Sequence, residues 1–140
     1  MFVYMSRFLA LLALAVVLSA PIVYGKASAS TVESGTSCRG AVSWLGARGA
    51  IGRYATIKGP VAGTRYVTWA NGSPTFINLG QDYPSPQRVQ IVIWQENRGR
   101  FGAPERRYRG HTLCVHGLVK NYRGTPEIEA TQPSQITIAR

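Results

Sequence analysis

Two short runs of alternating side chains constrain this chain more than anything else in it. In Thr75 to Leu79 (TFINL), Ile77 and Leu79 point one way, and Phe76 and Asn78 the other. In Arg88 to Trp94 (RVQIVIW), Val89, Ile91 and Ile93 share one face, and Gln90, Val92 and Trp94 share the opposite one. A period of two belongs to a strand with one face buried, so the core is built from sheet faces. The rest of the region is punctuated for the same purpose. Arg53 to Trp69 is rich in Tyr, Thr, Val and Ile and is interrupted at Gly59-Pro60 and Gly63, which predicts a long first strand bent at a glycine. Asn71-Gly72 is a hairpin turn signal between the first and second strands. Gly80 to Gln87, with Pro84 and Pro86, reads as a loop. Pro104 to Tyr108 predicts a short helix with proline near its start. Thr112 to Val119 is the fourth strand, running on to Tyr122 beyond a break at Gly117, and Arg123-Gly124 turns into a fifth over Pro126 to Ala130.

Five strands in this order, with a short helix between the third and fourth, match a five-stranded Greek-key barrel, the OB-fold; a small β-sandwich is the other arrangement that fits. Ala41 to Ile51, with Val42, Trp44, Leu45 and Ile51, is loosely helical in spacing, so a short N-terminal helix precedes the barrel despite Gly46 and Gly49. The expected domain is 41–140.

Ahead of it lies a different kind of segment. Arg7 is followed by 13 apolar residues, Phe8 to Ala20. A membrane span needs about 20 residues. The run fits a secretory signal over 1–25, with small residues at Val23-Tyr24-Gly25 and again at Ala27-Ser28-Ala29; an uncleaved anchor is the alternative. Residues 26–40 form a Ser-, Thr-, Ala- and Gly-rich leader. A secreted, periplasmic or envelope location is expected. An oxidising compartment would pair the two cysteines, Cys38 and Cys114, into a disulfide; two buried thiols is the other reading.

Composition narrows the chemistry. The chain is 45% hydrophobic with 14 aromatics, too apolar and aromatic for disorder. Its net charge is +10, carried by 13 Arg and 3 Lys against six acids: Glu33, Asp82, Glu96, Glu105, Glu127 and Glu129. That supply is thin for carboxylate catalysis or an all-oxygen metal site. Glu127 and Glu129 alternate on one strand without further acids, and His111 and His116 fall on opposite faces without a nucleophile. No enzyme activity, no metal and no cofactor are expected.

The motifs carry a resemblance. They are Ile51-Gly52-x-Tyr54-x-Thr56-x-x-Gly59-Pro60-Val61, Gly72-x-Pro74-Thr75-Phe76-Ile77-Asn78-Leu79-Gly80, and Asp82-Tyr83-Pro84. Next come Ile91-Val92-Ile93-Trp94, Pro104-Glu105-x-x-Tyr108-x-Gly110, Tyr122-x-Gly124-x-Pro126-Glu127-Ile128 and Pro133-Ser134-Gln135-Ile136. Over Trp44 to Ile138 the chain resembles a bacterial OB-fold nucleic-acid-binding domain family that occurs in secreted proteins, alone or beside extracellular nuclease domains. The resemblance implies an OB-fold and nucleic-acid binding. Phe76-Ile77-Asn78-Leu79 followed by Val89-Gln90-Ile91-Val92 is also similar to the anticodon-binding OB domain of class II aminoacyl-tRNA synthetases. There the residue at the Phe76 position stacks on a base, and the one at the Gln90 position shares its face.

Phe76 and Trp94 are therefore candidate stacking residues, and Asn78 and Gln90 candidate hydrogen-bonding partners. From Arg98 to Arg123 the basic residues Arg98, Arg100, Arg106, Arg107, Arg109, Lys120 and Arg123 face one acid, Glu105. Arg98, Arg100, Arg106 and Arg107 are expected to hold phosphates, and Lys120, Tyr122 and Arg123 to add a hairpin contact. The expected partner is single-stranded nucleic acid, DNA or RNA, bound with little sequence preference. The alternatives are an envelope module binding protein or an acidic polymer by charge, and a degenerate nuclease.

Overall fold

The computed structural model describes residues 38–139, all within one compact unit, Val32–Arg140. The signal expected over 1–25 and most of the leader lie outside the described residues. Among the described residues no helix is long and apolar enough to cross a membrane.

The described chain is mostly β, an open mixed sheet of eight strands. They are β1 (Val42–Ser43), β2 (Tyr54–Tyr66), β3 (Thr75–Leu79), β4 (Val89–Ile93), β5 (Thr112–Leu118), β6 (Lys120–Tyr122), β7 (Thr125–Glu129) and β8 (Ile136–Ile138). The hydrogen-bonded order is β6-β7-β4-β3-β2-β5-β8, with β1 on β2. The β4–β7 and β1–β2 pairs are parallel, and the others antiparallel.

Each of the five expected strands is present, but five is too low a count. β1 and β8 are added, and the expected fourth strand divides into β5 and β6. The division falls at Val119, not at Gly117. Gly117 stays in β5 opposite Ala55, and a Cβ there would stand 2.5 Å from Ile128 Cγ2 on β7. The glycine marks a close approach between β5 and β7, not an end. The first strand bends as its sequence predicts, with a register shift against β3 between Val61 and Gly63.

The helices also differ from expectation. Two stand between β4 and β5, α1 (Gln95–Phe101) and α2 (Pro104–Arg107). Only α2 follows from the sequence. The N-terminal helix is a 3-10 segment, Trp44–Ala50, whose cap Ser43 accepts from Leu45 N.

The core is made by the alternation that opens the sequence. Ile77, Leu79, Val89, Ile91 and Ile93 are fully buried with Ile57, Leu113, Val115 and Ile128. Phe101 and Tyr108 join the same cluster from the helical stretch. Each such aliphatic side chain contributes about 1.5–3 kcal/mol on burial. Cys38 and Cys114 are joined, which anchors the segment before β1 to the middle of β5.

Candidate ligand-binding face

Burying Ile77, Leu79, Val89, Ile91 and Ile93 inside obliges their neighbours to face outward. Strand pairing then lays those neighbours in rows. Asn78 lies opposite Gln90, Gln90 beside Glu127, and Glu127 opposite Lys120. One step along, Arg65 lies opposite Phe76, Phe76 opposite Val92, and Val92 beside Glu129. A cavity of about 430 Å³ opens over this face. Phe76, Asn78 and Gln90 line its floor, with Thr64, Arg65, Val67 and Arg88 around them. Trp69, Tyr83 and Tyr122 form its rim and are 72%, 70% and 47% exposed. Large aromatic surfaces left in water beside a cavity are the usual means of stacking on a planar or ring-shaped ligand.

Cations sit against those rings. The guanidinium of Arg65 lies 5.0 Å from the Trp69 ring, that of Arg88 5.3 Å from Tyr83, and that of Arg123 5.5 Å from Tyr122. The floor is a linked polar network. Arg88 donates to Ser85 O (2.6 Å) and to Gln90 Oε1 (3.0 Å). Gln90 Nε2 donates to Glu127 Oε2 (2.7 Å). Burial pushes the Glu127 carboxyl above the usual carboxylate range, against the pull of Gln90. Asn78 Nδ2 donates to Asp82 Oδ1 (2.8 Å), which also accepts from Tyr83 N (2.8 Å). Asn78 Oδ1 and Arg88 Nε are buried without a hydrogen-bond partner.

The structure thus brings Phe76, Asn78, Gln90 and Tyr122 together on one cavity. Trp94 lies apart, half-buried in a separate depression with Gly72, Gln95 and Glu96, its Nε1 donating to Glu129 Oε1 at 3.3 Å. The basic run is dispersed. Arg98 is drawn in between elements, donating to both Glu105 oxygens (2.7 and 3.0 Å) and to Thr75 Oγ1, and stacking 3.8 Å from the Tyr66 ring centre. That ion pair holds the Glu105 carboxyl below its usual range. Arg100 donates to Asn97 Oδ1 and Thr131 O. Lys120 pairs with Glu129 at 2.8 Å and lowers its pKa. Arg106 and Arg107 are exposed on α2, outside the cavity lining. Arg123 stands beside Tyr122 at its edge.

Arg65, Trp69, Asp82, Tyr83 and Arg88 are absent from the sequence-based site. The first strand, expected to run to Trp69, ends at Tyr66, so Trp69 stands in the turn beyond it, and Tyr83 lies in a loop, where no alternation says which way a ring points. The Asp82-Tyr83-Pro84 motif was the available signal. Among the described residues no three His, Cys, Asp or Glu side chains meet in a way that would hold a metal ion.

No family model matches the chain, and no curated protein matches it. Solved structures with a partial likeness include an OBody bound to hen egg-white lysozyme, 18% identical over 66% of this chain and 84% of that one, with a TM-score of 0.45. Asparaginyl-tRNA synthetase from Pyrococcus horikoshii is 18% identical over 66% of this chain, with a TM-score of 0.44, and this chain covers 20% of the synthetase. The S. pombe Stn1-Ten1 complex is 18% identical over 62% of this chain and 58% of that one, with a TM-score of 0.44. None is close enough to bear on what this chain does.

Proposed function

We propose that this protein is a secreted OB-fold module that binds single-stranded nucleic acid across the outer face of β3 and β4. The barrel reading rests on one continuity. Only Val119 separates β5, which pairs with β2, from β6, which pairs with β7. The sheet therefore curls back toward its own beginning, as an OB barrel does. The Cys38–Cys114 disulfide suits an oxidising compartment.

The observation that carries the function is the meeting of Phe76, Asn78 and Gln90 with exposed Trp69, Tyr83 and Tyr122 on one cavity, each outer ring backed by an arginine. Rings stack on bases whatever their identity, and the arginines offer donors to phosphate. The module is proposed to bind without cleaving, since a metal-dependent nuclease needs clustered carboxylates.

Titration of the protein with a thymidine or uridine 12-mer at two salt concentrations, read by tryptophan emission, tests the reading. Quenching with affinity that falls as salt rises is expected, because Trp69 stands on the rim. Equal affinity for a duplex, or binding without any change in emission, would point instead to an envelope module held by charge alone.

A further inference from the structure

The cavity holds one residue that a pure phosphate- and base-stacking groove has no use for. Asp82 is exposed, lines the cavity, and is an acid in a chain of net charge +10. A carboxylate there repels the phosphates the surrounding arginines attract. Yet the fold makes room for it. Gly63 on β2 sits at the register shift opposite Asn78, and a Cβ on Gly63 would lie 2.2 Å from the Asp82 carboxylate. Only a residue without a side chain lets the carboxylate lie over the strand.

Its hold is one-sided. Oδ1 accepts from Asn78 Nδ2 and from Tyr83 N, both at 2.8 Å. Oδ2 accepts from no described residue. The neighbouring Asn78 Oδ1 is another acceptor, in a side chain 4% exposed, and it has no partner. Asp82 Oδ2 and Asn78 Oδ1 are thus two acceptors without a donor, in a cavity that Phe76 and Tyr83 also line.

We propose that Asp82 reads the base stacked at Phe76, and that the site selects guanine. The inference rests on the strand-binding reading above. A carboxylate offers only acceptors. Among the four bases, guanine alone presents two adjacent donors, N1–H and the N2 amine, on its Watson–Crick edge. Adenine and cytosine each place a ring-nitrogen acceptor beside their single amine, and thymine or uracil flanks its single N–H with two carbonyls. Each of those meets the carboxylate with a like-charged lone pair. Single-strand readers commonly recognise splayed bases by this edge. The remaining stacking rings stay indifferent to sequence, so the preference is for one guanine within an otherwise arbitrary strand.

The test uses thymine 9-mers carrying one central guanine, inosine, adenine, cytosine or thymine, made in DNA and in RNA, with affinities measured for the parent, Asp82→Asn and Gly63→Ala. The parent is expected to bind the guanine strand about tenfold tighter than the adenine strand, within the range one matched base edge supplies. Inosine, which keeps N1–H and lacks the amine, should fall between them. Asp82→Asn retains an oxygen for Asn78 and should cut the guanine preference to about threefold or less. Gly63→Ala keeps the charge but displaces the carboxylate, and should lose the preference too. Tight binding with no difference among the bases overturns the selectivity and leaves the strand-binding site standing. A preference that survives both variants overturns the role of Asp82. Failure to bind any strand removes the strand-binding reading and this one with it.

Discussion

Phe76 is held by its neighbours in a way that separates its two possible contributions. It is half-buried, opposite Arg65 on β2 and Val92 on β4, and its ring lines the cavity rather than the core. Stacking on one base is worth about 1–3 kcal/mol, whereas a core phenylalanine costs about 3–5 kcal/mol of stability on truncation. Phe76→Ala is expected to weaken single-strand binding by about 1–3 kcal/mol while its salt dependence stays that of the parent. Melting curves set beside binding isotherms check this. An equally tight complex in a folded variant removes the stacking site. The orientation of Phe76 was legible because strand alternation leaves one choice: if Ile77 and Leu79 are in, Phe76 and Asn78 are out. Trp69 was not legible, because nothing in the sequence shows that the first strand stops at Tyr66, nor was Tyr83, since a loop has no period. Nor was the fate of Arg98, because its partners Glu105, Thr75 and Tyr66 meet it only in three dimensions.

At the scale of elements, the two helices and the start of β3 are joined by that same arginine, and two carboxyls on different elements have their pKa values shifted in opposite directions. Arg98 of α1 holds Glu105 at the start of α2 and Thr75 at the start of β3. Its pull lowers the Glu105 pKa in the folded protein. A lowered carboxyl adds stability that is present above its unfolded value, near 4.3, and is lost as pH falls through the folded one. On β7, burial raises Glu127. Ionising it in the fold costs stability above its raised pKa, and that penalty disappears below the unfolded value. Glu105→Gln should therefore destabilise the protein at neutral pH, and Glu127→Gln should stabilise it while keeping an oxygen for Gln90. Both differences should shrink toward zero in acid. Denaturant melts of the two variants from pH 7 down to 3 check the signs, and parallel behaviour of the pair would refute the assignment. What the sequence missed here has a common cause. α1 buries only Asn97 and Phe101 along QENRGRF, too few apolar positions to reveal a helical period. β1 and β8 span two and three residues, shorter than any alternation can establish. β3 and β4 were legible because each carries enough alternating positions to declare a face, and β2, β5 and β7 because of their residue types and the turns that bound them.

Over the whole molecule, the charge was legible and its distribution was not. Seven basic residues between Arg98 and Arg123 look like one patch along the chain. The fold sends them to α1, α2, the loop before β5, β6 and the turn after it. Arg98 and Lys120 are taken up by ion pairs, and Arg109 donates to Thr64 Oγ1. Arg65 and Arg123 come instead to opposite sides of the face, one on β2 and one beyond β6, each against an exposed ring of the cavity rim. A strand lying across β3, β4 and β7 passes between them. Each phosphate neutralised adds roughly 0.7 to the slope of log affinity against log salt for a single strand. Removing Arg65 and Arg123 together, as glutamines, is expected to lower that slope by about 1.4, with a loss of affinity that is similar for different base sequences. Arg106→Gln with Arg107→Gln removes the same charge from α2, outside the cavity, and should leave the slope closer to the parent's. Titrations of both double variants between 50 and 200 mM salt, about the range in which such slopes are resolved, distinguish the two paths. If the α2 pair lowers the slope and the rim pair does not, the phosphates follow the basic run and cross the helices, and the strand does not lie over β3 and β4.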